Sequence, residues 1–184
     1  MTLHADVAEL LAVAGIPGVD VDDAVADEHV RWSAYRRIVS VISSSPSRER
    51  DRAIVATILR DPVEMVAKSA VVALVDEIAM RTAGPAEFRE WASGLLPEID
   101  GIEGEGHREF IRRRIRDWLF HLSVQDGHVP TTAELAEVTD WMQRTLAEGS
   151  NSPAVLALLA ESGRRKKTRN VAENRARSRE LRPR

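Results

Sequence analysis

Residues 58–78, ILRDPVEMVAKSAVVALVDEI, predict a long helix with apolar residues on more than one side. Asp61 precedes Pro62, and a short polar residue before a proline is typical of a helix start, because the missing proline N–H is not needed there. The apolar residues that follow at helical spacing are Val63, Val66, Ala67, Ala70, Val71, Leu74, Val75, Ile78 and Ala79. A helix with two apolar faces lies between other packed elements, so the stretch predicts a layered, all-α fold.

The same stretch resembles the second helix of a HEAT-type repeat. The residues that match the motif's opening, buried valine, small residues and leucine are Asp61, Pro62, Val66, Ala70, Ala73 and Leu74. The sequence departs from the motif at Ala67, where a basic residue usually follows the valine, and Lys68 comes one place later. With residues 50–60 as the partner helix, the resemblance covers about residues 47–81. It implies a stack of antiparallel helical hairpins, as in an α-solenoid, but an irregular helical bundle stays open because no second good copy is present.

Similar start signals recur along the chain. Short polar residues or Gly precede Pro46, Pro85 and Pro153, and an acid follows three residues after Asp61 and after Thr131, as in a capping box. Gly163 stands where a helix would end. The predicted helices are about 4–14, 22–43, 47–60, 62–81, 85–96, 105–124, 131–148 and 152–162. No segment has the alternation and flanking turns of a strand.

The composition indicates one helical domain, residues 1–163, followed by a basic tail, residues 164–184. The 184 residues include no cysteine, so disulfides and thiolate chemistry are excluded. The sequence shows no signal peptide and no apolar run of about 20 residues that would span a bilayer, so we expect a cytoplasmic protein without membrane contact. Three Lys against 23 Arg hint at a bacterial, GC-rich genome.

Charge is distributed unevenly between the C-terminal tail and the rest of the chain. Ten basic and two acidic residues give it a net charge of +8, against −3 for the whole chain and therefore −11 for residues 1–163. The basic residues are Arg164, Arg165, Lys166, Lys167, Arg169, Arg175, Arg177, Arg179, Arg182 and Arg184. Such a tail is disordered or becomes helical on binding, and it can hold phosphates or an acidic protein surface. The acidic stretch 20–28 of the same chain is a further candidate receiver.

A second candidate contact surface lies in EFIRRRIRDWLFHL, residues 109–122. At 100° per residue, one face carries the apolar residues Ile111, Ile115, Trp118, Leu119 and Leu122. Arg113 and Arg116 lie opposite, with Arg112 and Phe120 on the same side. Aromatic residues and arginines are enriched at interface centres, so Arg113, Arg116 and Phe120 are predicted contacts. The alternative is that Phe120 packs on a neighbouring helix.

Signatures of catalysis are missing from the sequence. No two histidines have metal-ligand spacing, DGIEGEGH (residues 100–107) is neither a Walker loop nor a dinucleotide fingerprint, and Ser43–Ser45 form no nucleophile elbow. We therefore expect no catalytic residue, no metal, no cofactor and no small-molecule substrate. A helical enzyme with a site assembled from distant residues remains an alternative. Four tryptophans, Trp32, Trp91, Trp118 and Trp141, are expected to anchor the core.

These patterns favour a non-catalytic helical interaction module. Its partner would be a protein with an acidic surface, contacted by the tail and by the Arg113, Arg116 and Phe120 face. The alternative is a nucleic-acid-associated protein whose tail binds the phosphates of RNA or DNA. The tail contains no aromatic residue, so base stacking is not expected from it.

Overall fold

The computed structural model describes residues 2–180, with side chains up to residue 178. Within that range the chain forms eleven α-helices and no strand, as the apolar spacing predicts. The helices are α1 Leu3–Val13, α2 Val21–Ala26, α3 Glu28–Ser43, α4 Asp51–Ile58, α5 Glu64–Arg81, α6 Pro85–Asp100, α7 Glu105–Gln125, α8 Thr132–Glu137, α9 Asp140–Gly149, α10 Pro153–Ser162 and α11 Lys166–Glu180. None of these described helices has the length and apolarity needed to cross a bilayer.

Two predicted helices are each divided by a capping residue. The predicted helix 22–43 is interrupted at Asp27, whose extended backbone and side chain cap α3 through a 2.7 Å hydrogen bond from the His29 amide. The predicted helix 131–148 is interrupted before α9, where Thr139 is extended and accepts a hydrogen bond from the Met142 amide. The side chains of Asp and Thr compete in this way with the hydrogen bonds of the helical backbone. The prediction of a continuous helix was therefore wrong at both positions.

Not every proline that was predicted to begin a helix does so. Pro85 and Pro153 lie in the first turns of α6 and α10, as predicted. Pro46 does not begin a helix, because α4 starts only at Asp51 after a serine-rich turn. Helix α6 continues through Pro97 to Asp100, beyond its predicted end at 96. The capping box forms at Thr131 and Glu134, whereas α5 begins at Glu64 without one.

The described chain divides between Ile115 and Arg116, within α7, into two compact units. In the sequence, 20 acidic and 14 basic residues precede this division, and 9 acidic and 12 basic residues follow it. We call the two parts the N-terminal and C-terminal units. Their formal charges are therefore −6 and +3, and the positive charge of the C-terminal unit comes from the basic segment, since residues 116–163 carry −5 and residues 164–184 carry +8.

Helix α5 lies in the core of the N-terminal unit. Its buried residues are Val66, Ala67, Ala70, Val71, Leu74, Val75, Ile78 and Ala79, so both apolar sides are covered. Its most extensive packing is against α3, and it contacts α4 and α6 less extensively. The central position agrees with the sequence, but the principal partner of α5 is α3 rather than the preceding helix.

A buried polar network joins three parts of the N-terminal unit. The Arg31 Nε donates to Asp61 Oδ2 at 2.7 Å, and the Tyr35 hydroxyl donates to the same oxygen at 3.0 Å. The Arg31 Nη1 also donates to the carbonyl of Ala24, at 2.9 Å, while Asp61 Oδ1 accepts from the Val63 amide. Burial, and then the Asp61 carboxylate, raise the pKa of Tyr35. The network thus connects α2, α3 and the α4–α5 loop.

A second ion pair connects α1 to the end of α4. The Arg60 Nη2 lies 2.6 Å from Asp6 Oδ1, and this hydrogen bond lowers the pKa of Asp6 below its ordinary value of 3.8. A lowered carboxyl pKa contributes stability above the unfolded-state pKa, and this contribution is lost as pH falls through the folded-state pKa.

We expect Asp6→Asn to destabilise the N-terminal unit near neutral pH by about 1 kcal/mol or less, because the Arg60 side chain is 42% exposed. Urea unfolding of wild type and variant should show this difference at neutral pH. The difference should shrink as pH falls below 3.8, where the carboxyl of the unfolded chain becomes protonated, and it should disappear below the lowered pKa of the folded state. A pH-independent difference would contradict the assignment to the ion pair.

The C-terminal unit contains residues 116–125 of α7 and helices α8 to α11. Helix α11 packs most extensively on α10 and also on α9, with Thr168 and Ala172 buried. Gly163 permits the close turn between α10 and α11, because a Cβ there would lie 2.5 Å from the Leu159 carbonyl oxygen. Residues 166–180 therefore form a packed helix, which differs from the expected disordered or binding-induced tail.

Candidate interaction surface

The basic segment begins with two arginines that share one carboxylate of the same unit. The Arg164 Nη1 lies 2.7 Å from Asp140 Oδ1, and the Arg165 Nε lies 2.5 Å from Asp140 Oδ2. Hydrogen bonds from Arg165, and then from Arg164, lower the pKa of Asp140. The Arg164 amide also donates to Gln143 Oε1 at 2.8 Å. These bonds tie the start of the basic segment to α9.

Two further arginines bind backbone carbonyls at helix ends. The Arg169 Nη1 donates to the Gly163 carbonyl at 2.6 Å, just after α10. The Arg175 Nη1 donates to the Ala147 carbonyl at 3.0 Å, in the last turn of α9. A cation is favourable beside the carbonyl end of a helix, so these side chains stabilise the packing of α11. Sequence reasoning assigned both arginines to a partner and missed this internal role.

The basic residues at the start of α11 are the most accessible part of the segment. Lys166 and Lys167 are exposed, and neither has an ion pair among the described residues. The Arg165 side chain is 72% exposed despite its bond to Asp140. We call Arg165, Lys166 and Lys167 the α11 cluster. The remaining predicted residues are Arg177, which pairs with Glu173 at 2.5 Å, and Arg179, whose side chain lies outside the described residues together with Arg182 and Arg184.

The predicted face of α7 is exposed at its arginines. Arg113, in the N-terminal unit, and Arg116, in the C-terminal unit, are both exposed. Phe120 is only partly exposed, so it is a weaker candidate than its sequence position indicates. The opposite side behaves as the periodicity predicts, because four of its five apolar residues are buried. These are Ile111, Ile115, Trp118 and Leu122.

The exposure of two aromatic residues was not predicted from the sequence. Phe110 on α7 is 46% exposed, although its sequence position drew no prediction. Trp141 on α9 was expected in the core, but it is 39% exposed and meets Trp118 edge to face at 5.8 Å between ring centroids. The sequence does contain a pattern that indicates an exposed position for Phe110. Arg113 and Arg114 follow it by three and four residues and therefore lie on the same helix face.

A cleft in each unit contains a titratable group whose pKa is shifted by burial. Between α4 and α6, a cleft of about 360 Å³ contains Trp91, whose Nε1 donates to Asp51 Oδ2 at 2.9 Å. Burial raises the pKa of Asp51, while the hydrogen bond from Trp91 opposes the shift. In the C-terminal unit, a cleft of about 460 Å³ is lined partly by His121, whose pKa is lowered by burial.

Metal ligands do not converge in the described part of the chain. Between residues 2 and 180, no group of three or more His, Asp or Glu side chains has the arrangement needed to hold a metal ion. Charged side chains do meet in ion pairs, and Asp140 is shared by Arg164 and Arg165.

The comparisons with known proteins bear on the resemblance to HEAT-type repeats. The eleven helices within residues 2–180 are compatible with a helical repeat arrangement. No protein-family model, no curated protein and no solved structure matches this chain. The arrangement of the helices is therefore described by their own packing, in which α5 lies mainly against α3.

Proposed function

We propose that this protein is a non-catalytic helical module that binds a protein partner with an acidic surface. The observation that carries the proposal is the α11 cluster, in which exposed cations lie on a helix that is itself fixed by buried residues. In this proposal the helices pack as stacked, HEAT-like hairpins, and the protein acts in the bacterial cytoplasm. A rigid helical surface with localised charge suits recognition of another macromolecule.

The partners of three carboxyl groups with shifted pKa values support a scaffold role. Asp6 bonds to Arg60 on another segment, Asp51 bonds to Trp91, and Asp140 binds the start of the α11 segment. Each of these pairs joins two segments of one unit. Shifted pKa values arise in structural networks as well as in catalytic sites. In these three pairs the bonded partner lies on another segment, which is typical of a structural network.

The proposed mechanism separates attraction from docking. The α11 cluster raises the local concentration of an acidic partner, because exposed charges steer diffusing molecules over about one Debye length, roughly 8–10 Å at physiological salt. Arg113 in the N-terminal unit and Arg116 in the C-terminal unit are exposed, and in this proposal each supplies a guanidinium group for a carboxylate of the partner. Phe120 contributes apolar area in this scheme, although it is only partly exposed.

The alternative is binding to RNA or DNA through phosphate contacts. The α11 cluster favours it, because lysines and arginines neutralise phosphates without regard to sequence. The internal bonds of Arg164, Arg169 and Arg175 favour the protein partner, since they leave few adjacent cations for the long, regular run of phosphates in a nucleic acid. Fewer cations of the segment then remain for phosphates than its total of ten basic residues indicates.

The test compares binding of labelled poly-glutamate, duplex DNA and single-stranded RNA to the full chain. Wild type is expected to bind poly-glutamate at about 50 mM salt and less tightly at 200 mM, with weaker binding to nucleic acid. Lys166→Gln with Lys167→Gln should weaken binding about three- to tenfold, in line with the modest energy of exposed ion pairs. Asp140→Asn should tighten it, because Arg164 and Arg165 lose their internal carboxylate.

The matched control is Arg36→Gln with Arg37→Gln, which removes an exposed adjacent basic pair from α3 in the acidic N-terminal unit. This control should bind as wild type does. Tighter, steeply salt-dependent binding of nucleic acid would favour the alternative. Failure of wild type to bind any of the three probes at low salt, or equal loss in both double variants, would contradict the proposed role of the α11 cluster.

A further inference from the structure

A cluster of apolar and basic side chains is exposed on α5 and α7 of the N-terminal unit. Phe110 is 46% exposed and Met65 is 54% exposed. Lys68 connects them, because its Nζ lies 4.7 Å from the Phe110 ring centroid and 3.1 Å from the Met65 sulfur. Arg113 is exposed one helical turn after Phe110. We call Met65, Lys68, Phe110, Arg113 and Arg114 the Phe110 patch.

The cations hold the ring of Phe110 in a defined position. Lys68 lies over the ring, and the Arg114 Cζ lies 5.8 Å from its centroid. The Arg114 Nε is also 3.7 Å from Asp76 Oδ1, and its side chain is only 15% exposed, so it supports the patch from one side. An exposed cation–π contact is a modest interaction, and it pre-orders the aromatic side chain before any partner arrives.

The patch brings several cations together within an acidic unit. The unit carries a formal charge of −6, whereas the patch brings three cations together. Asp76 lies beside Arg114, the Glu64 carboxylate accepts from the Gly104 amide, and Glu109 precedes Arg113 by four residues. At physiological salt the Debye length is about 8 Å, so a ligand on the surface responds mainly to these nearby charges. The complementary ligand is therefore acidic, and it needs an apolar side chain to cover the exposed Phe110 and Met65.

We propose that the Phe110 patch is a docking site for an acidic protein segment that presents an apolar side chain. Phe, Met and Arg are enriched at protein interfaces, where a central aromatic residue surrounded by polar groups supplies most of the binding energy. In this assignment Phe110 is the central contact, Met65 adapts to the partner's apolar side chain, and Lys68 and Arg113 bind its carboxylates. The site rests on the proposed interaction function but is distinct from the α11 cluster.

The arrangement of Lys68 favours a protein segment over a nucleobase. Base stacking requires an open aromatic face, and the ammonium of Lys68 occupies space over the ring of Phe110. A carboxylate needs no such face, because it binds Lys68 directly while an apolar side chain covers the ring edge. The acidic surroundings of the unit also oppose a long polyanion more than a short acidic segment.

The experiment uses the full chain and two short labelled peptides, one composed of Asp, Glu and Leu and one in which Ser replaces each Leu. Fluorescence anisotropy should show tighter binding of the Leu peptide. Phe110→Ala should weaken that binding about tenfold or more, as for a central interface residue, and Lys68→Gln should weaken it about threefold. Met80→Ala is the matched control, since Met80 is 62% exposed on the same helix α5, well along from Met65.

Amide chemical shifts recorded with the Leu peptide provide the second measurement. Shifts centred on residues 65–68 and 110–114 support the site. If Phe110→Ala binds as wild type does while the α11 cluster variant is weakened, the Phe110 patch is overturned and the proposed function stands. Phe110-dependent binding of single-stranded RNA in preference to the peptide overturns the assignment of the patch to a protein segment. If the wild type self-associates and Phe110→Ala does not, the patch is assigned to a second copy of the chain and the proposal is overturned.

Discussion

Replacing Asp61 by Ala is expected to lower the free energy of unfolding of the N-terminal unit by about 3–5 kcal/mol, because it leaves the Arg31 charge buried without a carboxylate. The Asp61 side chain is fully buried and that of Arg31 is 3% exposed, so solvent cannot replace the lost partner. The Tyr35 hydroxyl and the Val63 amide lose an acceptor in the same variant. Denaturant unfolding monitored by circular dichroism measures the effect.

The double-mutant cycle with Arg31→Met separates the charge from the hydrogen bonds. The double variant should lose clearly less stability than the sum of the two single variants, because neither charge then remains unpaired. As a control for the loss of an ion pair on the surface, Glu77→Ala removes the partner of Arg81 at 3.3 Å and should cost about 0–0.5 kcal/mol. Equal costs for Asp61→Ala and Glu77→Ala would contradict the role of the buried network.

Asp61 shows which contacts can be predicted from neighbouring residues and which cannot. The Asp-Pro pair correctly predicted a boundary before α5, and Asp61 Oδ1 does bind the Val63 amide. The sequence did not indicate that the other oxygen of the same carboxylate would receive Arg31 and Tyr35, which precede it by 30 and 26 residues. A local cap is visible from neighbouring residues, whereas a buried pair depends on the packing of α3 against α5.

The breaks at Asp27 and Thr139 have a related explanation. Apolar spacing continues through both positions, so periodicity predicts a single uninterrupted helix across each of them. Asp27 and Thr139 instead bind a following amide with their side chains, and the backbone becomes extended. Periodicity identifies which residues are buried, as with α5, but it does not weigh a side-chain cap against one more helical turn.

The basic segment was the hardest part to predict, because its buried face contains few apolar residues. Thr168 and Ala172 are buried on α11, and the Arg175 side chain crosses to the Ala147 carbonyl. Small residues and an arginine stem give a weak apolar pattern, so charge dominated the interpretation of residues 164–184. The contacts to α9 and α10 depend on Asp140, Gln143 and Gly163, which lie outside the segment.

The packing of α11 predicts the second large effect. Ala172 is fully buried, so Ala172→Glu places a longer, charged side chain where there is neither space nor an evident partner. We expect the C-terminal unit to lose at least about 3 kcal/mol of unfolding free energy, from overpacking and from burial of an unpaired charge. Hydrogen exchange of the α11 amides, recorded together with denaturant unfolding, measures both the loss of stability and its location.

Asn170→Glu is the matched control, because it adds the same charge at an exposed position of α11. This variant should remain near wild-type stability, since the added carboxylate would lie one turn from Lys166 and Lys167 on the helix surface. If α11 were an independent tail, Ala172→Glu and Asn170→Glu would behave alike, and α11 amides would already exchange freely in the wild type. A difference confined to Ala172→Glu therefore distinguishes a helix that presents its cations on a fixed surface from a flexible basic tail.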